Sequence, residues 1–375
     1  MANLLCATCA ARTAALAAAA LAVLAPAPAH AQDWKAEWDK TVAAANEEGT
    51  VVISSQPNKN ARDFIQREWP KAFPKIRLSL SVVPSSQLVA RIRTERAAGK
   101  YLWDAAFSGA STGYVLSKEG VIDPIASEFI LPDLKNPATY GGWDNAYFDL
   151  ARKYVFATSA FLKSPFYNAD HVPAEKVKRL GFKALLDPAY AAKIVWHDPS
   201  TPGSGQSYAY VLRRSLGDDG LKKLVVDQKV NFVAGQHEVV EHMARGTAWI
   251  GIGPMVTGLM TEYTTAGVKM NVHPFGNTPE VNEMSIGGAA LYVYNKRPHP
   301  NATRVFVNWL LSKETQGGLA EVMNQNSRRQ DLPSVNDEES TPVKGAKYLE
   351  TQREEFLNDV NAAGKYVSEL RRSMR

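Results

Sequence analysis

The chain has 375 residues, 45% hydrophobic and 22% charged, with a formal net charge of +5. This globular composition excludes a disordered, collagenous or coiled-coil protein, and the length suits about two domains. The 43 basic and 38 acidic residues form no long basic run and no basic patch interleaved with aromatics, which argues against nucleic acid as a partner.

Residues 14–25, AALAAAALAVLA, make an apolar run of twelve with Arg12 ahead of it. A membrane-spanning helix needs about 20 apolar residues, so the run is too short to be one. Pro26 and Pro28 follow, then Ala29-His30-Ala31 and Gln32. Small residues at the −3 and −1 positions predict a signal peptide over 1–31, cleaved after Ala31, and hence export to the periplasm. Cys6 and Cys9 both lie inside that segment, so the mature chain carries neither a disulfide nor a thiol for chemistry.

Beyond residue 50, strand and helix signals alternate. Val51-Val52-Ile53 is a β-branched run followed by the polar loop Ser54-Ser55-Gln56-Pro57-Asn58, and the next helix carries Phe64, Ile65 and Trp69. Ile76, Leu78, Leu80 and Val82 alternate as one face of a strand. Ser85-Ser86 can cap a helix from Gln87 to Ala98 that Gly99 stops. Trp103 to Phe107 is a third strand, closed by Ser108-Gly109-Ala110-Ser111. Three rounds of strand, polar loop and helix predict an open parallel α/β sheet, whose ligands sit beyond the carboxyl ends of the strands.

Pro132, Pro137, Gly141 and Gly142 break this rhythm and suggest a crossover near 128–150. A second α/β stretch follows: strand Lys193 to Trp196, a loop rich in Gly, Pro, Ser and Thr from His197 to Gln206, and a helix Ser207 to Leu216 ended by Gly217. Strands Asn231 to Ala234 and Ala248 to Ile252 flank a helix at 237–245. Ile286 to Val293 reads as one more strand and Pro300 to Leu311 as an amphipathic helix, before a charged, helical tail from 336. The expected division is 32–127 with 285–335 as a first domain, 128–284 as a second, and 336–375 as the tail.

The block GGAALYVYNK (287–296), Pro298-His299-Pro300-Asn301-Ala302 and RVFVNWLLSKETQ (304–316) resembles one in bacterial extracellular solute-binding proteins of ABC importers. So do PFYNADHVP (165–173), LLDPAYAAKIVWHDPS (185–200) and ARGTAWIGIG (244–253), in that order and spacing. The resemblance spans roughly residues 50–330 and points to the group of ferric-ion, phosphonate and sugar-phosphate binders. It implies a type II two-domain α/β clamshell with the ligand between the domains, closing by hinge motion. It further implies a monomer that hands a small solute to an inner-membrane ABC permease, with no cofactor and no bond made or broken.

Ferric binders of this group use a His in the first strand's loop, a Glu in the third strand's loop and a Tyr pair in the second domain. Here the first loop has no His, and Phe107-Ser108-Gly109-Ala110-Ser111 has no carboxylate. The Tyr pair falls on Pro254-Met255-Val256-Thr257. Hard trivalent iron wants anionic oxygen donors, so iron held in the usual manner is disfavoured, and a ferric ion or chelate with other ligands stands as the alternative.

Ferric binders also hold a companion anion on a Ser/Gly loop at a helix start, and here Asp198-Pro199-Ser200-Thr201-Pro202-Gly203-Ser204-Gly205-Gln206 opens a helix. Exposed amides and neighbouring hydroxyls there favour phosphate or carboxylate. The expected ligand contacts are Ser54, Ser55, Gln56, Ser108, Gly109 and Ser111 from the first domain. From the second come Thr201, Gly203, Ser204, Gly205, Gln206 and Met255. The expected solute is thus a small organic molecule bearing phosphate, phosphonate or carboxylate.

Enzyme and metal motifs are wanting. His237 and His242 in HEVVEH stand at i and i+5, about 140° apart around a helix, whereas a zincin needs i and i+4. Gly203-Ser204-Gly205 lacks the G-x-S-x-G spacing of a hydrolase elbow. His197 is the one histidine near the loop and reads as a supporting group, while Lys59 and Arg91 read as solvated.

Overall fold

The computed structural model describes residues 30–55, 58–83, 85–201, 203–253, 263–264, 266–276, 283–335 and 348–374. Arg12, Cys6, Cys9 and most of the expected signal peptide lie outside the described residues, as do Gln56, Pro202 and Met255.

Helix α1 (His30–Glu48) leads into β1 (Thr50–Ser55), α2 (Lys59–Ala72), β2 (Arg77–Val82), α3 (Ser85–Ala97), β3 (Ala105–Ser108), α4 (Ala110–Lys118) and β4 (Ile122–Asp123). Short turns and α5 (Trp143–Ala146) bring the chain to β5 (Phe156–Ala157) and then to β6 (Ser159–Lys163). Next come β7 (Phe166–Asn168), α6 (Ala174–Leu180), β8 (Ile194–His197), α7 (Ser204–Lys222), β9 (Asn231–Val233), α8 (Gln236–Ala244), β10 (Ile250–Ile252) and β11 (Val272–Pro274). The chain returns through β12 (Glu283–Ser285) to β13 (Ala290–Tyr294), α9 (Pro300–Leu311), α10 (Lys313–Met323) and β14 (Asn326–Ser327), and ends in α11 (Leu357–Arg372).

One sheet has the order β2-β1-β3-β13-β4 with β5 also against β13, and a second has the order β11-β7-β10-β8-β9. A small sheet, β12-β6-β14, joins them. Neither large sheet is purely parallel, as the sequence rhythm suggested. β13 runs antiparallel to β3, β4 and β5, and β7 antiparallel to β10 and β11, because these strands belong to the chain's crossings between the sheets.

Period-two alternation decides what each face of the first sheet buries. Val51 and Ile53 pack with Ile65, Trp69 and Phe306 on one side, while Val52 on the other joins Leu88, Ile92 and Tyr292. α2 presents Ala61, Phe64, Ile65 and Trp69 to this core, and the Asn58 side chain caps it by accepting the Ala61 amide at 3.0 Å. Each such fully buried apolar side chain stabilises the fold by about 1.5–3 kcal/mol. Gly318 lets α10 lie directly on α2, since a Cβ there would come within 2.4 Å of the Phe64 ring.

Packing adds three points to the sequence reading. Phe129, Leu134, Tyr140, Tyr147 and Phe156 belong to the core of the first sheet, so the chain leaves that sheet through β6 rather than at residue 128. The strand expected over 286–293 begins later: Gly287, at φ +58°, turns the chain and β13 starts at Ala290. The tail packs inside the second core, where Val360, Ala363 and Val367 of α11 meet Tyr208, Val211 and Leu212 of α7.

Candidate ligand-binding site

The topology fixes where the polar loops lie. Ser108, at the end of β3, pairs with Ala290, the first residue of β13, and Gly251 of β10 pairs with Phe166, the first residue of β7. Each crossing segment therefore meets its sheet at the carboxyl ends of the parallel strands. The carboxyl ends of β1, β3, β8 and β10 therefore face the junction of the two sheets, where open α/β sheets bind ligands.

The loop from β8 to α7 is the most constructed of these. Asp198 accepts the Ser200 amide at 2.8 Å and the Arg371 guanidinium at 2.5 Å, and its own amide donates to the Val233 carbonyl at 2.8 Å. Burial alone would raise the Asp198 pKa; the Ser200 amide and hydroxyl, with Arg371, bring it below the ordinary value. Gly203 then takes φ +153°, ψ −164°, a conformation confined almost wholly to glycine, and α7 begins at the next residue. The first hydrogen bond of the helix is Ser207 amide to Gly203 carbonyl, 3.2 Å, which leaves the amides of Ser204, Gly205 and Gln206 without a helical partner. The Trp196 indole steadies this end by donating to the Gly205 carbonyl at 3.2 Å.

The Ser204 hydroxyl donates to the Gly253 carbonyl and lies 2.9 Å from Nδ1 of His197. These three residues join the ends of β8 and β10 to the first turn of α7. Burial holds His197 below its ordinary pKa of 6.5, the nearby Lys163 charge lowers it further, and the Ala234 carbonyl, Asp198 and Glu238 oppose both. His197 is accordingly neutral at pH 7.

The expected contacts separate into groups. Thr201 and Gly203 are exposed, and Ser204, Gly205 and Gln206 form the buried first turn of α7. Gly205 has no room for a side chain for an internal reason, because a Cβ would lie 1.8 Å from the His197 carbonyl oxygen. In the first sheet Ser54 and Ser108 are buried beneath α3 and α4. The Ser54 hydroxyl is 3.4 Å from that of Tyr294, and Ser108 lies beside the Tyr292 hydroxyl. Ser55 is buried as well, whereas Gly109 at the start of α4 is half-buried and Ser111 is exposed. Lys59 pairs with Asp63 at 2.5 Å and Arg91 with Glu95 at 2.8 Å, so neither cation serves these loops.

A buried charged cluster beside α7 escaped the sequence reading. Lys163 pairs with Glu283 at 2.7 Å, donates to the Ser207 hydroxyl and to the Ser204 carbonyl at 3.3 Å, and lies 4.4 Å from the centre of the Tyr208 ring. Burial lowers the Lys163 pKa and Glu283 opposes that shift. The visible signal was a lysine closing the apolar run Ala160-Phe161-Leu162; Glu283 gave none. His242 of the HEVVEH segment contacts Thr247 at 2.9 Å, and the described residues hold no group of metal-ligating side chains.

Comparison with known proteins agrees with this architecture. No curated protein sequence matches the chain. Among solved structures it is similar to apo ferric ion-binding protein A from Pasteurella haemolytica (TM-score 0.62, 15% identity, covering 86% of this chain and 98% of that one). It is also similar to iron-bound HitA from Pseudomonas aeruginosa (0.58, 14%, 87% and 99%). A third is AfuA from Actinobacillus pleuropneumoniae with fructose-6-phosphate bound (0.57, 16%, 86% and 98%). At such identities the likeness establishes the fold, that of two-domain periplasmic binding proteins. The family model described as bacterial extracellular solute-binding protein matches residues 68–337, most of the chain, and the chain belongs to that family.

Proposed function

We propose that this protein is exported to the periplasm, captures a small organic solute through a phosphate, phosphonate or carboxylate group, and presents it to an ABC permease. The observation that carries the reading is the amino end of α7: three amides without helical partners, set up by the special conformation of Gly203 and flanked by Ser204. Such an end attracts negative charge through its dipole and its free N–H groups. The loops 54–58, 108–112, 197–206 and 253–264 contain no Lys or Arg, so the anionic group would be held by neutral donors rather than by an ion pair. Gly109 and Ser111 at the start of α4 supply the opposite wall.

The test is a thermal-shift screen against phosphonates, sugar and polyol phosphates, small carboxylates, polyamines, thiamine and ferric salts. A ligand at 100 times its Kd adds about 2.7 kcal/mol of stability, a visible shift. Stabilisation confined to phosphorylated or carboxylated solutes is the expected result. Stabilisation by ferric salts alone would overturn the reading and leave iron held by unanticipated ligands.

A further inference from the structure

Lys163 closes β6, the outward crossing between the sheets, and Glu283 opens β12, the return, and the two residues are register partners in antiparallel pairing. Thr351, on the segment leading to the last helix, donates its hydroxyl to Glu283, and the neighbouring Leu349 carbonyl accepts the Met284 amide at 3.0 Å. Ser207, in the first turn of α7, accepts from Lys163 and donates to the Ser204 carbonyl at 3.0 Å. Three segments running between the sheets thus meet the candidate binding helix at one point. Exposure there is 2% for Lys163, 0% for Glu283, 4% for Thr351 and 6% for Ser207.

The bonding is complete. The three N–H groups of the Lys163 ammonium have three acceptors, Glu283, Ser207 and the Ser204 carbonyl. One Glu283 oxygen takes Lys163 and the other takes Thr351. A buried ion pair seldom stabilises a fold more than apolar side chains of equal size would, but losing one partner of it is costly. Any rotation of one sheet against the other that draws the paired strands β6 and β12 away from α7 would leave the buried Lys163 ammonium without two of its three acceptors, the Ser207 hydroxyl and the Ser204 carbonyl.

We propose that Lys163, Glu283 and Thr351 are positioning residues that lock the angle between the two halves to the placement of the Ser204–Ser207 turn. The proposal rests on the reading of that turn as the binding site only for its functional consequence; the lock itself can be measured without ligand. Binding closure then has a defined structural partner: the arrangement in which Ser204 and its amides are presented is the one in which the Lys163 ammonium reaches the Ser204 carbonyl and the Ser207 hydroxyl.

Cys6 and Cys9, the chain's two cysteines, both fall in the expected signal peptide, so protein beginning at Gln32 is the background for labelling. The exposed Lys75, before β2, and Lys222, at the end of α7, are changed to cysteine and carry a dye pair for single-molecule distance measurements. Thr351→Val removes one hydroxyl at constant shape, and the double variant Lys163→Met with Glu283→Leu replaces the pair by apolar side chains. Both are expected to keep their circular dichroism while the distance distribution at least doubles in width. An unchanged distribution in folded Thr351→Val and in the folded double variant would overturn the proposal and leave the cluster a packing feature. Should the double variant fail to fold, Thr351→Val alone decides. A failure of the anion reading in the solute screen would leave this result untouched.

Discussion

The α-carbon of Gly205 lies against the carbonyl of His197, so close that a Cβ would stand 1.8 Å from the oxygen. The first turn of α7 therefore sits on the end of β8 with no side chain between them. Gly205→Val should unfold or strongly destabilise the protein, and Gly205→Ala should cost about 1–3 kcal/mol or more, the range for overpacking a filled interior. Urea unfolding midpoints check this. A Gly205→Ala variant of unchanged stability but weakened affinity would instead make the glycine a ligand-approach position.

Gly203 and Thr201 separate loop geometry from ligand charge. Gly203 holds φ +153°, and forcing alanine into such a conformation costs about 1–3 kcal/mol. Gly203→Ala should lose that stability and also displace the three amides, so affinity falls as well. Thr201 is exposed, so Thr201→Glu should leave the unfolding midpoint unchanged while weakening an anionic solute at least tenfold by like-charge repulsion. Calorimetric titration of both variants with the solute found by thermal shift provides the comparison.

His197 makes stability depend on pH. Burial and then the Lys163 charge keep the folded imidazole below the ordinary value of 6.5, so the unfolded chain binds a proton that the folded chain refuses. The contribution to stability is full above pH 6.5 and is lost as pH falls from there through the folded pKa. Melting temperatures measured at pH 7.5 and pH 5.5 should differ less in His197→Gln than in the parent. Equal differences would show that other groups carry the acid sensitivity.

Export gives a prediction at the level of the chain itself. Protein recovered from the periplasm of a producing bacterium should begin at Gln32, read by intact mass. A product retaining Met1 would remove the signal-peptide assignment.

Much of the fold was legible because short-range rules suffice for it. The alternation at Val51 to Ile53, the Asn58 cap and the spacing of Phe64, Ile65 and Trp69 each express a local preference that the core then satisfies. The helix Pro300–Leu311 appears with the bounds its sequence announces, Pro at its first position and apolar residues along one face. The loop from Asp198 to Gln206 was also visible, since serine and glycine before a helix carry their meaning in the residue types.

What the sequence could not supply is anything that depends on which strand lies beside which. Ser54 and Ser108 look like ligand groups in one dimension, yet β13 brings Tyr294 and Tyr292 against them from more than 180 residues away. Gly205 was expected to admit a ligand, and only the packing of α7 on β8 shows a second reason for the glycine, the His197 carbonyl that a Cβ would strike. Lys163, Glu283 and Thr351 are unremarkable in sequence and become one cluster only where three crossings converge. Alone, then, the sequence determined the class of fold and marked the loop from Asp198 to Gln206 as a helix start, because periodicity and residue chemistry act locally. The tertiary structure decided which polar side chains remain available to a solute, because burial and hydrogen-bond pairing are set by neighbours distant along the chain.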